Sequence, residues 1–238
     1  PMSAPESLDR LLCILFPRRC AYCGEVILPK AHVCDACLEN LPRILPPVCL
    51  FCAYQKEDCR CKQKKREYDG VCAPFYYEDA IVKAVHRLKF ENKDFTADTF
   101  ALDMAAVVRR EYADITFDAV TYVPFTRKQM RRRAFNPAEV LAEKLAEELG
   151  LPKRTLLLKL YETRTQHFLK SSERAGNVLG AFAAVENADL EGKTLLLVDD
   201  IKTTGATLSE CAKMLKLAGA KAVFCCTFAA TRLQKENT

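Results

Sequence analysis

Residues 194–230 alternate in a way that few folds can use. "TLLLVD" and "AVFCCTFA" are apolar runs with little polar relief; between them lie two carboxylates, a Thr/Gly loop and a helical stretch from Thr207 to Ala218, ended by Gly219. Strands of this kind are buried on both faces, and a strand–helix–strand unit joins two of them in parallel. The expected fold is therefore α/β, a mostly parallel sheet with helices on both faces. Such sheets bind ligands beyond the carboxyl ends of their strands, and Asp199 and Asp200 stand at one such end.

Upstream the same alternation holds from about Tyr68. "YEDAIVKAVHRLKF" puts Ile81, Val85 and Leu88 on one helical face, and "FTADTFALDMAAVVRREY" predicts a second helix. "DAVTYVP" reads as a buried strand closed by Pro124. "NPAEVLAEKLAEELG" reads as a helix with Asn136 as N-cap, Pro137 in the first turn, a stripe at Leu141, Leu145 and Leu149, and Gly150 as its stop.

The loop after the acidic pair contains Lys202, Thr203, Thr204, Gly205, Ala206 and Thr207. It offers backbone N–H groups, hydroxyls and, at Gly205, room for close approach, and it opens onto a helix whose N-terminus favours an anion. A phosphate suits the loop. Two carboxylates beside it would repel a second phosphate but accept hydrogen bonds from vicinal hydroxyls, so a 5-phosphoribosyl group carries both required features. Competing motifs fail on spacing. "EGKTLLL" resembles the end of a Walker A loop, yet Asn187 stands where the first glycine is needed and a strand follows rather than a helix.

Ten of the thirteen cysteines lie before residue 73. Eight of these form pairs: Cys20 with Cys23, Cys34 with Cys37, Cys49 with Cys52, and Cys59 with Cys61. Zinc takes four thiolates in a tetrahedron, and paired cysteines a short loop apart supply them. The alternative is a set of reduced core cysteines, which the surrounding prolines and charges disfavour. Spacing leaves open whether the pairs join in chain order or interleave. Four thiolates leave no open coordination position, so the metal's role is structural. The expected division is a Cys-rich module over residues 1–67, preceded by a short helix around Leu8 to Leu15, and a larger domain over 68–238.

Net charge is +5, with the excess concentrated in "KQKKR" and "RKQMRRR". Such runs suit phosphates, nucleic acid or an acidic membrane surface, or serve simply as solvated faces. No apolar run approaches the roughly 20 residues of a membrane span, and no signal peptide is recognisable. Without an export signal the cysteines argue against a disulfide framework. The protein is expected to be cytoplasmic, with a peripheral position at the inner membrane face as an option.

"LLLVDDIKTTGAT" looks like the phosphoribosyl pyrophosphate (PRPP) signature of type I phosphoribosyltransferases. The whole chain resembles the ComF family of competence-associated, phosphoribosyltransferase-like proteins, through the Cys knuckles, "HRLKF", "VPFTRKQMRRRAFNPAEVLA" and "RTQHFLKSSERAGNVLGAF". Ala134 departs from the glycine usual in the family's Arg-Gly-Phe-Asn block. The resemblance implies that Asp199 and Asp200 bind the ribose 2- and 3-hydroxyls and that residues 203–207 hold the 5-phosphate. It implies that Arg127 and Arg133 border the pyrophosphate, and that Arg164, Gln166, Arg174 and Asn177 belong to a flap. Magnesium would accompany PRPP, held largely by the ligand and water. Single-stranded DNA and competence proteins are the partners it implies. An active phosphoribosyltransferase with an unidentified acceptor is the alternative. Phe51, Tyr54, Phe125 and Phe135 are available to stack bases or to fill core.

Overall fold

A computed structural model describes residues 17–28, 31–61, 65–90, 93–133, 135–161 and 180–232. The expected short helix at residues 8–15, and Arg164, Gln166, Arg174, Asn177 and Ala134, lie outside these residues.

The amino-terminal part is built mainly from turns. It contains a short helix, α1 (Asp35–Asn40), and a small antiparallel ribbon of β1 (Val48–Cys49) and β2 (Tyr54–Gln55). Next come two short strands, β3 (Gly70–Cys72) and β4 (Phe75–Tyr76), then the helices α2 (Asp79–Phe90) and α3 (Lys93–Glu111). The sequence continues through β5 (Ala119–Tyr122), the six-residue α4 (Arg127–Arg132) and α5 (Pro137–Leu149). The last elements are β6 (Leu157–Lys159), β7 (Phe182–Ala184), β8 (Thr194–Lys202), α6 (Ala206–Leu217) and β9 (Ala222–Ala230).

The expected α/β core is present. The central sheet runs β3-β9-β8-β5, with β4 also on β9, and every described pairing in it is parallel. Successive side chains of a strand point to opposite faces, and β8 shows what that does here. Leu196 and Val198 enter a core with Phe100 and Met104 of α3 and with Leu141 and Leu145 of α5. Leu195 and Leu197 enter a second core with Leu208, Cys211 and Leu215 of α6. Both faces are covered, which is why the strand carries almost no polar relief before its end.

Local signals act as read. Asn136 caps α5, accepting from the Ala138 N–H at 3.1 Å, and its own amide donates to the Val123 carbonyl at 2.9 Å, tying the helix start to the end of β5. Gly150 ends α5 in the left-handed conformation, φ 68°. The helix expected from Thr207 starts one residue earlier, at Ala206, behind Gly205 at φ 77°.

Candidate functional site

Asp199 and Asp200 are at the carboxyl end of β8, and the strand continues through Lys202 before the chain turns into α6. The Val123 N–H donates to the Val198 carbonyl at 3.0 Å, so the segment after Pro124 begins beside Asp199. Arg127 opens α4 on that segment and is exposed; Arg133, also exposed, lies with its guanidinium 5.8 Å from the Phe125 ring centre. The topology thus brings the acidic pair, the turn and the arginine-bearing segment to one end of the sheet.

The two acids differ. Burial, and then the adjacent Asp200, push the Asp199 carboxyl well above the usual carboxylate range. Its Oδ1 accepts from the Asp200 N–H at 2.9 Å. Asp200 has a counter-charge: Lys89 Nζ lies 2.7 Å from its Oδ2, and both side chains are mostly buried. This ion pair reaches across from α2, and no spacing rule links positions so far apart in the chain.

The turn is held from several sides. Thr204 Oγ1 accepts from the Ala206 N–H at 3.4 Å, and the Gly205 carbonyl accepts from the Ser209 N–H at 3.0 Å. The first turn of a helix leaves N–H groups without intrahelical acceptors, and here they lie just beyond the acidic pair. Lys202 is buried beneath the turn, with Nζ 4.8 Å from the Tyr54 ring centre and donating to the Thr203 carbonyl at 3.3 Å. Its burial brings the ammonium down to about 8. Beside the Pro124 segment, a cleft of about 820 Å³ is lined by Phe125, Arg127, Leu157, Lys159 and Tyr161, among others.

The eight paired cysteines gather in chain order into two clusters: Cys20, Cys23, Cys34 and Cys37, then Cys49, Cys52, Cys59 and Cys61. Within each, all sulfurs lie within 4.8 Å of one another. Zn–S bonds of about 2.3 Å in a tetrahedron put sulfurs about 3.8 Å apart. The observed separations of 3.6 Å (Cys23–Cys34), 3.7 Å (Cys52–Cys59) and 4.0 Å (Cys49–Cys61) fit a bound ion. The single-residue spacer between Cys59 and Cys61 does not prevent closure. The residue after each leading pair is left-handed, Gly24 at φ 86° and Ala53 at φ 63°. His32 is exposed and belongs to neither cluster.

Comparison with known proteins agrees with this geometry. A phosphoribosyl transferase domain model matches residues 136–237, and a double zinc ribbon domain model matches residues 11–74. The chain is thus a phosphoribosyltransferase-like protein bearing an amino-terminal double zinc ribbon, and its two Cys clusters are structural zinc sites. Its relatives extend over nearly the whole length. Competence protein F of Haemophilus influenzae is 27% identical over 219 residues, 87% of this chain and 95% of that protein. DNA utilization protein YhgH of Salmonella typhimurium is 28% identical over 208 residues, 86% of each. Competence protein ComFC of Bacillus subtilis is 28% identical over 227 residues, 89% of this chain and 91% of that protein. The chain is thus similar over most of its length to proteins of the ComF type, as its motifs implied.

Proposed function

We propose that this chain binds PRPP, with magnesium, and supports the handling of incoming DNA as a ComF-type protein. The observation that carries the first half is the neighbourhood of Asp199 and Asp200 to a glycine-led helix start at the end of a buried parallel strand. The ribose diol would donate to the acidic pair, with Lys89 yielding part of its hold on Asp200. The 5-phosphate would accept from the N–H groups and hydroxyls of residues 203–207. Arg127 and Arg133 would flank the pyrophosphate, and Arg164 and Gln166 would contribute from the segment that follows β6. Magnesium would neutralise the pyrophosphate, held mainly by ligand oxygens and water.

The DNA half rests on the names of the relatives, which speak of competence and DNA utilization. A basic cleft of about 690 Å³ beside the first zinc ribbon, lined by Arg19, Lys83, His86 and Arg87, supports it. Cationic clefts of this kind suit the phosphates of single-stranded DNA. Among the described residues no helix is long and apolar enough to cross a membrane. A cytoplasmic location, with contact at the inner membrane face, suits a protein that receives DNA there.

PRPP with magnesium should raise the melting temperature of the protein, and the Asp199→Ala/Asp200→Ala variant should lose that rise. An equal rise in the variant would refute the ligand geometry. DNA binding should fall steeply with salt and survive the same double substitution.

The cleft beside Pro124 favours a second reading, in which an acceptor sits there and takes the ribose. In such a transfer the bond from the anomeric carbon to pyrophosphate breaks as the ribose gains oxocarbenium character, and the site acts through positioning and electrostatics. Release of pyrophosphate from PRPP in the presence of a candidate acceptor is its signature.

A further inference from the structure

The second zinc ribbon is wired into the turn that follows β8. Arg66, a few residues beyond Cys61, donates from Nη2 to the Thr204 carbonyl at 2.6 Å. The next residue, Glu67, donates its N–H to Ser209 Oγ at 3.0 Å, on the first turns of α6. Tyr68 then reaches back, its hydroxyl donating to the Phe51 carbonyl at 2.9 Å, inside the Cys49–Cys52 knuckle. A Cβ on Gly205 would stand 3.0 Å from that same hydroxyl, so the turn is packed directly against Tyr68. On the other side, Tyr54 follows the knuckle and covers the Lys202 ammonium.

These contacts form a closed circuit. The knuckle holds Tyr68 and Tyr54, these two support Gly205 and Lys202, and Arg66 holds the carbonyl between them. One link of the circuit would be a metal held by the second Cys cluster. Cys49 and Cys61 come from opposite ends of the ribbon, and their sulfurs meet at 4.0 Å around a point where no covalent bond joins them. Without an ion, four thiols have little reason to stay there, and the chain that carries Arg66 loses its fixed end.

We propose that Arg66 is a positioning residue for the phosphate-binding turn, and that through it PRPP affinity depends on metal occupancy at Cys49, Cys52, Cys59 and Cys61. The inference rests on the reading that this turn holds the 5-phosphate. Coupling between two sites is reciprocal. If the metal tightens PRPP binding, PRPP must tighten metal binding by the same factor.

The test is an equilibrium zinc competition on the full chain with a chromophoric chelator, with and without saturating PRPP and magnesium. The Asp199→Ala/Asp200→Ala variant in the same solutions corrects for metal binding by PRPP itself. Cys61→Ser identifies which of the two ions responds, since Cys61 is the exposed ligand of the second cluster. PRPP should strengthen retention of the second zinc by about tenfold, within the usual range of coupling between sites, and leave the first zinc unmoved. Arg66→Gln should bind both ions normally yet lose the response, with PRPP binding weakened by a similar factor, and Arg66→Lys should recover part of it. A wild type that binds PRPP by calorimetry while its zinc competition stays unchanged overturns the coupling and leaves the ligand reading standing. An intact response in Arg66→Gln overturns the role of Arg66. A wild type that does not bind PRPP overturns the ligand reading, and the coupling with it. Should Cys61→Ser fail to fold, the wild-type competition and Arg66→Gln still decide the matter.

Discussion

The two zinc ribbons sit on opposite faces of one sheet and are built into it differently. The first sends Tyr22 into the α3 face, where the fully buried ring meets Phe75, Phe100 and Phe228 at 5.3–6.4 Å between centres. Its hydroxyl donates to Asp103, which also pairs with Arg43 at 2.9 Å. Cys20 and Cys37 are themselves buried in that core. The second ribbon packs on the α6 face, where Cys61 is exposed and its neighbours support a loop. Two Cys clusters with the same chemistry thus stand in different settings: the first is built into the core, and the second is built against the turn that follows β8.

The largest difference should appear on losing a ligand cysteine. Cys20→Ser should abolish cooperative unfolding of the whole chain, because it frees an aromatic plug as well as an ion; Cys61→Ser should leave a cooperative transition. Urea denaturation followed by circular dichroism distinguishes them, and equal outcomes would dissolve the contrast. Tyr22→Ala, which keeps both metals, should cost about 3–5 kcal/mol, as expected for removing a large buried aromatic. A loss under about 1 kcal/mol would show that the plug matters little beside the metal.

A smaller effect belongs to the site itself. The Asp199 carboxyl is raised by burial and by Asp200, so the folded protein binds that proton more tightly than the unfolded chain. Its contribution to stability is full below the ordinary value of 3.8 and is lost as pH rises through the raised value. Asp199→Asn should therefore be more stable than wild type at pH 7, by about 1 kcal/mol, while binding PRPP poorly. The gain should vanish in acid. A variant less stable at both pH values would mean that Asp199 is an ordinary structural acid.

The smallest test compares the two knuckles directly. Ala53 holds the left-handed position that Gly24 holds in the first ribbon, and side chains are strained there. Ala53→Gly should stabilise by about 0.5–1 kcal/mol, and Gly24→Ala should destabilise by more. A Cβ at Gly24 would also fall 2.2 Å from Arg87 Nη1, so that side chain must move. Opposite signs are the expected result in thermal melts.

Much of this is legible in the sequence. The run into Asp199 and Asp200 betrays a doubly covered strand because Leu195 to Val198 have no solvent face, and Asn136 and Gly150 mark α5 because caps act locally. The paired cysteines announced two clusters, although only the fold shows that they close in chain order. Other features left little trace. β3, β4, β6 and β7 span only two or three residues each, too few for a period to show. The six-residue α4 reads as a basic run, although Thr126 and Gln129 form a capping box at its start. The Lys89–Asp200 pair and the contact of Arg66 with Thr204 join residues more than a hundred positions apart, and Lys202 lies under Tyr54 rather than at the surface. Such partners are set by the way the ribbons fold back on the sheet, not by any local pattern.

A crystal structure of the protein with PRPP and magnesium bound tests the reading most directly. Density for the 5-phosphate should lie against the backbone of Gly205, Ala206 and Thr207, with the ribose hydroxyls on Asp199 and Asp200 and Lys89 drawn partly away. A ligand bound elsewhere, or a corner in which the Lys89–Asp200 pair remains closed and unvisited at saturating PRPP, would contradict it.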